Sequence, residues 1–509
     1  MKLNYKRTIL CGFAFFLITA FWQAYDATIP VILTNKFGLS QFWSGVVMAL
    51  DNVLSLFLLP FFGSISDKTK GKWGKRTPYI AVGTILAALL ITGISFVDNA
   101  QLKNISDVST LDDPAALSIV YDSEKDIVLK TPSGEKYKLS ELYSNKEEFV
   151  SIKCETEKDG KTVTNPDYTD YVAPARHSYV GRKTAENNTE LIIFIVLLLA
   201  LLLSMSIFRS PAVALMPDIT LKPLRSKANA IINLMGTAGG ILILVLGIIF
   251  GTGSINNSFM SYTAYYGVVA GIMVVALVIF LATVKEKRWS KEMEEDSIKY
   301  GIEESGDGEK VIEHKLTRGE MASLIFILIS VALWYFGYNA ITSKYSVYAT
   351  NILNMDYNTT MLIAQGAAII AYIPAGIVAT KLGRKKTIIG GVILLGTAFG
   401  AASFMNASSS VLVMNILFAM AGIGWATINV NSFPMVVEMA SGGNVGKFTG
   451  YYYTASMAAQ IVTPLLSGFL MDKIAETVLF PYATAFVILA LLMMLCVRHG
   501  EAKKVEAGK

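Results

Sequence analysis

Residues 60–80 read Pro60-Phe61-Phe62-Gly63-Ser64-Ile65-Ser66-Asp67-Lys68-Thr69-Lys70-Gly71-Lys72-Trp73-Gly74-Lys75-Arg76-Thr77-Pro78-Tyr79-Ile80. An apolar run stops at Gly63, a single carboxylate follows at Asp67, five Lys and Arg crowd into 64–77, and a second apolar run starts at Pro78. A short, basic, glycine-punctuated link between two runs of about 20 apolar residues connects two membrane-crossing helices. The pattern returns later in the chain, where Pro374-Ala375-Gly376 leads to Gly383-Arg384-Lys385-Lys386. Likewise Met216-Pro217-Asp218 is answered by Phe433-Pro434 and Glu438. The chain therefore repeats as two parallel halves, which predicts a cavity between them near the bilayer midplane.

Working outward, twelve such apolar stretches are found, near 8–34, 43–63, 78–97, 191–217, 228–251, 262–284, 321–343, 360–380, 387–405, 411–432, 449–471 and 479–497. The whole chain of 509 residues agrees, being 53% hydrophobic and 16% charged with a mean hydropathy of +0.49. That composition excludes a disordered or nucleic-acid-binding chain. Three Cys without a CxxC exclude a disulfide framework or a zinc module. Lys2, Lys6 and Arg7 precede the first stretch as in a signal peptide, but Gln23 and Asp26 inside it and the lack of a small-residue cleavage site mark a retained helix.

Lys and Arg are distributed unevenly. With the N-terminus inside, the inner loops hold 21 of them, and the outer loops apart from 98–187 hold only Lys36, Lys344 and Lys473. This asymmetry predicts a multi-pass protein of the plasma (inner) membrane with both termini cytoplasmic. Segment 98–187, with 12 basic and 17 acidic residues, is expected outside as a soluble insertion. Within it, Ile127-Val128-Leu129-Lys130, Thr131-Pro132-Ser133-Gly134 and Lys136-Tyr137-Lys138-Leu139 read as strand, turn and strand, so a small β-rich cap is expected. The expected organisation is 1–97 (helices 1–3), 98–187 (insertion), 188–284 (helices 4–6), 285–320 (cytoplasmic linker), 321–498 (the C-terminal six-helix half) and 499–509 (tail). The fold class is an all-α polytopic membrane protein with 12 transmembrane helices in two six-helix halves and a β-rich extracytoplasmic insertion.

The run Gly63-Ser64-Ile65-Ser66-Asp67 closed by Gly74-Lys75-Arg76-Thr77-Pro78 resembles the loop 2–3 signature of the major facilitator superfamily (MFS). More narrowly it is similar to the glycoside–pentoside–hexuronide:cation and sucrose-type symporters, as is Arg209-Ser210-Pro211 with Ala214-Leu215, Asp218, Arg225 and Ala228-Asn229. The resemblance implies an inner gate built from Gly63, Asp67, Gly74, Lys75, Arg76, Asp218 and Arg225, in which Asp67 and Arg76 lock the loop. Charge-assisted hydrogen bonds at a helix end suit a contact that breaks when the halves rock.

Charges within a bilayer are costly, so each calls for a partner or a wet cavity. Asp26, Asp51 and Arg209 are such charges in spans 1, 2 and 4, and each serves either cation coupling and substrate binding or a permanent ion pair. Trp22 stands four residues before Asp26, Trp334 four before Tyr338 with Asn339 next, and Trp425 four before Asn429, which offers sugar rings an aromatic face and a polar neighbour. Gln23, next to Trp22, is a further candidate for cation coupling or substrate binding, whereas Gln365, Asn431 and Gln460 are polar residues in spans that interhelical hydrogen bonding explains equally well. Tyr345, Tyr348 and Tyr451-Tyr452-Tyr453 read as an interfacial belt. His177, His314 and His499 fall outside the spans, so proton coupling would need Asp26 or Asp51; sodium would use the same carboxylates with Asn52 or Ser55.

With neither a Walker A loop nor HExxH nor GxSxG, the chain is not expected to be an enzyme. The expected function is secondary active symport of a sugar or glycoside by alternating access. Alternatives are an exporter or carrier of another small solute such as an organic acid, and a non-transporting sensor that uses 98–187. No cofactor is expected beyond a transported H+ or Na+. The expected partners are the lipid bilayer and a small solute, without nucleic acid, and the chain is expected to act as a monomer.

Overall fold

The computed structural model describes residues 3–158, 161–221, 224–300, 316–437, 439 and 445–498. Among the described residues, twelve helices are long and apolar enough to cross a membrane. The first six are α1 (Tyr5–Val31), α2 (Gln41–Lys68), α3 (Thr77–Asn104), α8 (Thr189–Ile219), α9 (Arg225–Phe250) and α10 (Thr263–Thr283). The second six are α12 (Arg318–Tyr348), α13 (Tyr357–Leu382), α14 (Arg384–Ala402), α15 (Val411–Val437), α16 (Val445–Lys473) and α17 (Leu479–Cys496). Helices are the natural outcome for such runs, because lipid offers backbone amides no partner outside the segment. Their starts follow local chemistry. Ser40 caps α2, Asp356 accepts from the amides of Asn358 and Thr359 at the head of α13, and Thr317 with Glu320 forms a capping box for α12.

The internal repeat is visible in the packing. In the first bundle α1 packs on α9 and α10, α3 on α8 and α10, and α2 on α8. Their counterparts α12 on α16 and α17, α14 on α15 and α17, and α13 on α15 repeat those pairings one for one. Both α1 and α12 end in a π-turn, at Ile32–Lys36 and Ala349–Leu353. Each bundle has its own apolar core, and the two meet along α2–α16 and α9–α13. At the first of these seams Gly45 lies against the Pro464 carbonyl and Gly468 against the main chain of Gln41, where a Cβ would collide. Glycine is what permits this approach.

The segment between α3 and α8 corrects the expectation of a β-rich cap. It is mainly helical, with α4 (Pro114–Glu124), α5 (Leu139–Leu142), α6 (Lys146–Val150), a π-turn (Tyr168–Val172) and α7 (Ala173–Glu186). The expected hairpin is present but short: β1 (Leu129–Lys130) pairs antiparallel with β2 (Lys136–Tyr137) around the Thr131–Gly134 turn, and a second ribbon joins β3 (Glu155–Lys158) to β4 (Lys161–Thr164). The overlooked signal is helical. Asp113 caps α4 through the Ala115 amide, and Ala116, Leu117, Val120 and Tyr121 recur on one face into the small core of this segment. Helix α3 also runs seven residues beyond 97, to Asn104.

On the opposite, basic face, α11 (Glu286–Lys299) occupies the first part of the expected linker. His314, Glu438, His499 and the tail from 499 lie outside the described residues. The expected interfacial belt is also corrected in part, since Tyr345 and Tyr348 are buried in the core of the second half, as is Tyr452, whereas Tyr451 and Tyr453 are exposed. The Tyr345 hydroxyl bonds to Thr360 Oγ1 at 2.8 Å, a partner within the bundle that a bilayer headgroup cannot replace.

Candidate functional site: a cavity between the halves and a charged network

A cavity of about 190 Å³ lies between the halves, lined by Trp22, Asp26, Asp51, Asn52 and Arg209 from the first and by Asn339, Thr342, Ser343 and Gln460 from the second. Three helices of one half thus bring all three intramembrane charges to one space. Asp26, Asp51 and Arg209 are each half-buried, so all three are open to the cavity. Asp51 accepts from Asn52 Nδ2 at 2.8 Å, and the Arg209 guanidinium lies over the Trp22 ring, 5.4 Å from its centroid. Among the described residues no ion pair within 4.0 Å joins Arg209 to either carboxylate. The site therefore holds two carboxylates and a guanidinium near one another but unpaired, an arrangement that can exchange partners with a cation or a solute.

Other candidate residues are placed differently. Gln23 accepts from Gln365 Nε2 at 2.6 Å across the halves. Tyr338 stacks on Trp425 with parallel rings 3.5 Å apart, and Tyr335 meets the same indole edge-on, forming an aromatic cluster beside the cavity residues of α12. Asn429 is one turn farther along α15, half-buried and outside the cavity lining. Trp334 corrects the aromatic reading: it is wholly buried in the second core and outside the cavity lining. Asn431 donates to the Thr427 carbonyl within its own helix at 2.8 Å, an intrahelical role. Thr342, Ser343, Met48 and Pro464, which complete the lining, carry no charge or aromatic ring in the sequence to single them out.

The halves join toward the face that carries the insertion. Asn35 and Asn351 exchange amide hydrogen bonds at 2.8 and 3.2 Å, Lys344 Nζ donates to the Gln41 carbonyl at 2.5 Å, and Asp472 accepts the Gln41 and Phe42 amides at 2.9 and 2.8 Å. Thr252 bonds Tyr357 at 2.8 Å and Asn358 at 2.9 Å along the α9–α13 seam. Among the described residues, the hydrogen bonds joining the halves all lie between the Gln23–Gln365 level and this face.

At the basic face Arg76 is the centre of a network inside the first half. Its Nε donates to Asp218 at 2.7 Å, its other nitrogens reach Asp67 and Ser66, and Lys75 Nζ stands 3.3 Å from Asp218. Burial works to lower the Arg76 pKa, but hydrogen bonds and charge from Asp218 and Asp67 outweigh it and hold the guanidinium above its usual value. Glu286, in the expected linker, is a member the sequence gives no sign of. Its carboxylate accepts from the amides of Lys75, Arg76 and Thr77 at 2.7–2.8 Å and from Thr77 Oγ1 at 2.6 Å. This binds the start of α3 as an anion at a helix N-terminus. Gly74 has φ +113 and no room for a Cβ beside that carboxylate, which explains the glycine. Gly63 contributes its carbonyl to Arg76 Nη1 at 3.4 Å. Arg225 stands apart from the lock, donating to the carbonyls of Pro217 and Thr220 at 3.0 and 3.2 Å.

Comparison with known proteins follows this geometry. The sequence pattern described as Major Facilitator Superfamily matches residues 184–371 and 357–507, and that described as MFS/sugar transport protein matches 10–102. An uncharacterized MFS-type transporter of Methanocaldococcus jannaschii is 31% identical over 124 residues, 24% of this chain and 30% of its own. A lactose permease of Lactobacillus helveticus is 38% identical over 52 residues, 9% of this chain and 8% of its own. The matched regions thus span less than a third of the length of these curated relatives. In three dimensions the xylose transporter XylE from E. coli in its inward-open conformation aligns over 99% of this chain and 98% of its own, with a TM-score of 0.57 at 12% identity. A bacterial homologue of the iron transporter ferroportin in its inward-facing state gives 0.57 at 12% identity over 97% and 99%. At such identities the likeness is one of fold, and it agrees with the repeated helix pairings above. Since the superfamily pattern covers most of residues 184–507 and the fold repeats as that pattern requires, the chain belongs to the Major Facilitator Superfamily.

Proposed function

We propose that the protein is a secondary active transporter of the plasma membrane that takes up a sugar or glycoside by alternating access, coupled to protons or sodium, with both termini cytoplasmic. The observation that carries this reading is the midplane cavity, in which Asp26, Asp51 and Arg209 face residues of the opposite half without being locked into an ion pair. A solute there touches both halves, so its binding is coupled to their relative position. Asp26 and Asp51 offer hard oxygens to a cation or a site for a proton, and Asn52, Asn339, Thr342, Ser343 and Gln460 offer donors and acceptors to hydroxyls. Trp22 supplies an apolar face. Seams closed toward the insertion leave the cavity facing the cytoplasm in this orientation. The similarity to sucrose-type symporters around Asp67 and Arg76 and the match to the MFS/sugar transport pattern support a sugar.

A second reading rests on Arg209. A guanidinium without a carboxylate partner suits an anionic solute, such as an organic acid. Uptake of labelled mono- and disaccharides and of labelled carboxylates into proteoliposomes, under imposed proton or sodium gradients, decides between them. Gradient-driven accumulation of a sugar supports the first reading, accumulation of carboxylates alone supports the second, and accumulation of neither overturns both.

A further inference from the structure

The segment between α3 and α8 is fastened to the first half by more than its chain ends. Gln101 Nε2, in α3, donates to Thr184 Oγ1 of α7 at 3.0 Å while also holding the Lys36 carbonyl at 2.7 Å. His177 Nε2 lies 3.2 Å from the Leu39 carbonyl oxygen. Gly38, with φ +62, touches the main chain of Gly181. These contacts seat α7 of the segment on the ends of α1 and α3.

The β1–β2 hairpin reaches the other way. Lys130 Nζ donates to the Asp472 carbonyl at 3.1 Å, and the Thr477 amide donates to the Pro132 carbonyl at 3.3 Å. Gly134, with φ +99, lies on the Ile474 carbonyl so closely that a Cβ would stand 2.6 Å from it. Asp472 is also the residue whose carboxylate holds the Gln41 and Phe42 amides at the start of α2. One corner of the second half, between α16 and α17, thus anchors both the closed seam and the hairpin.

We propose that the insertion is a strap across the two halves: its hairpin is seated on residues 472–477 while the seam below is closed, and it must unseat each time the halves part on that face. This rests on the alternating-access reading. The joint is suited to release. Beneath the hairpin lies a cavity of about 310 Å³ shared by the insertion and both halves, and Thr169 Oγ1, Arg176 Nε and Gln41 Oε1 on its walls are buried without a protein partner. A polar, roomy gap of this kind holds water. The hairpin is therefore held across it by a few hydrogen bonds instead of apolar packing. Two such bonds, at their ordinary net worth, bias the open–closed balance about tenfold.

The test reads the seam directly. In the full-length chain with Cys496→Ser, where Cys11 and Cys154 remain fully buried, Asn35→Cys places a thiol in the seam. Vesicles exposing the insertion face are treated with a membrane-impermeant maleimide. Lys130→Ala, which removes one of the two bonds, is expected to raise the labelling rate about threefold, and Gly134→Val, which unseats the hairpin, about tenfold; labelling unchanged in both overturns the strap. The converse variant, Pro132→Cys with Thr477→Cys, joins positions already in main-chain contact. On oxidation it should suppress labelling of the seam, with recovery on reduction, and labelling that persists at the unlinked rate overturns the proposal. No solute enters the measurement. Failure of the strap therefore leaves the sugar-uptake reading standing, and failure of sugar uptake leaves this result interpretable.

Discussion

Arg209 holds its guanidinium over the indole of Trp22, 5.4 Å from the ring centroid, while the carboxylates that share its cavity stay beyond ion-pair distance. A planar cation stacked on an aromatic face keeps its edge donors free for a ligand. Arg209→Gln should lower the initial rate of uptake by at least about tenfold, while Arg209→Lys, which keeps the charge but not the planar fork, should retain an intermediate rate. Equal rates for the two variants in proteoliposomes would show that charge and shape at 209 do not matter separately.

The hydrogen-bond network at the basic face depends on Glu286. Replacing its carboxylate by an amide in Glu286→Gln leaves part of a four-donor cradle unmatched, at an expected cost of about 2–3 kcal/mol. The thermal midpoint in detergent should fall and uptake should drop with it. A midpoint equal to that of the parent would mean the carboxylate is dispensable to the start of α3.

Lys36 and Asp98 form a pair at 2.6 Å with both side chains fully buried, and Lys36 Nζ also donates to the Met260 carbonyl and faces the Tyr262 ring. Removing one member strands the other charge. Lys36→Met should therefore destabilise by about 3–5 kcal/mol, and adding Asp98→Leu should recover most of the loss. Thermal unfolding of the single and double variants checks this, and equal midpoints for them would contradict a structural pair.

His177 predicts an acid sensitivity in the docking of the insertion. Burial lowers its pKa, against smaller opposing effects of the Leu39 carbonyl and the Asp472 charge; Lys130, Arg176 and Glu476 line the same cavity. A base with a lowered folded-state pKa favours folding most when neutral. The stabilisation is complete above the unfolded value of about 6.5 and is lost as pH falls below it toward the folded value. The protection factors of the amides across 38–41, corrected for intrinsic exchange at each pH, should therefore fall as pH drops from about 7.5 to 5.5, and His177→Gln should flatten that dependence. An identical pH profile in the variant would contradict it.

The twelve helices and the parallel repeat were legible in the sequence, because lipid leaves the chain little choice and each carries a local signature, whereas the Asp67–Arg76 contact was implied by the resemblance of its loop to a known signature. The three intramembrane charges were legible for the same reason, since each had to find a partner or a cavity. What escaped were contacts between distant segments. Nothing near Glu286 distinguishes it from its acidic neighbours in α11, and Thr342 and Ser343 become cavity residues only once α12 is turned toward α1. Trp334 misled for a related reason: its four-residue step to Tyr338 fixes a face of the helix, yet the side of the bundle that this face meets depends on packing. In the insertion, a strong turn signal at 131–134 drew attention from the helical spacing of 116–121.

The most direct test of the account is sugar uptake into proteoliposomes under an imposed proton or sodium gradient, comparing the parent with Asp26→Asn. The account predicts accumulation against a gradient in the parent, and in the variant only downhill or exchange movement of the same sugar. Accumulation in Asp26→Asn equal to that of the parent would contradict the placement of coupling at this cavity.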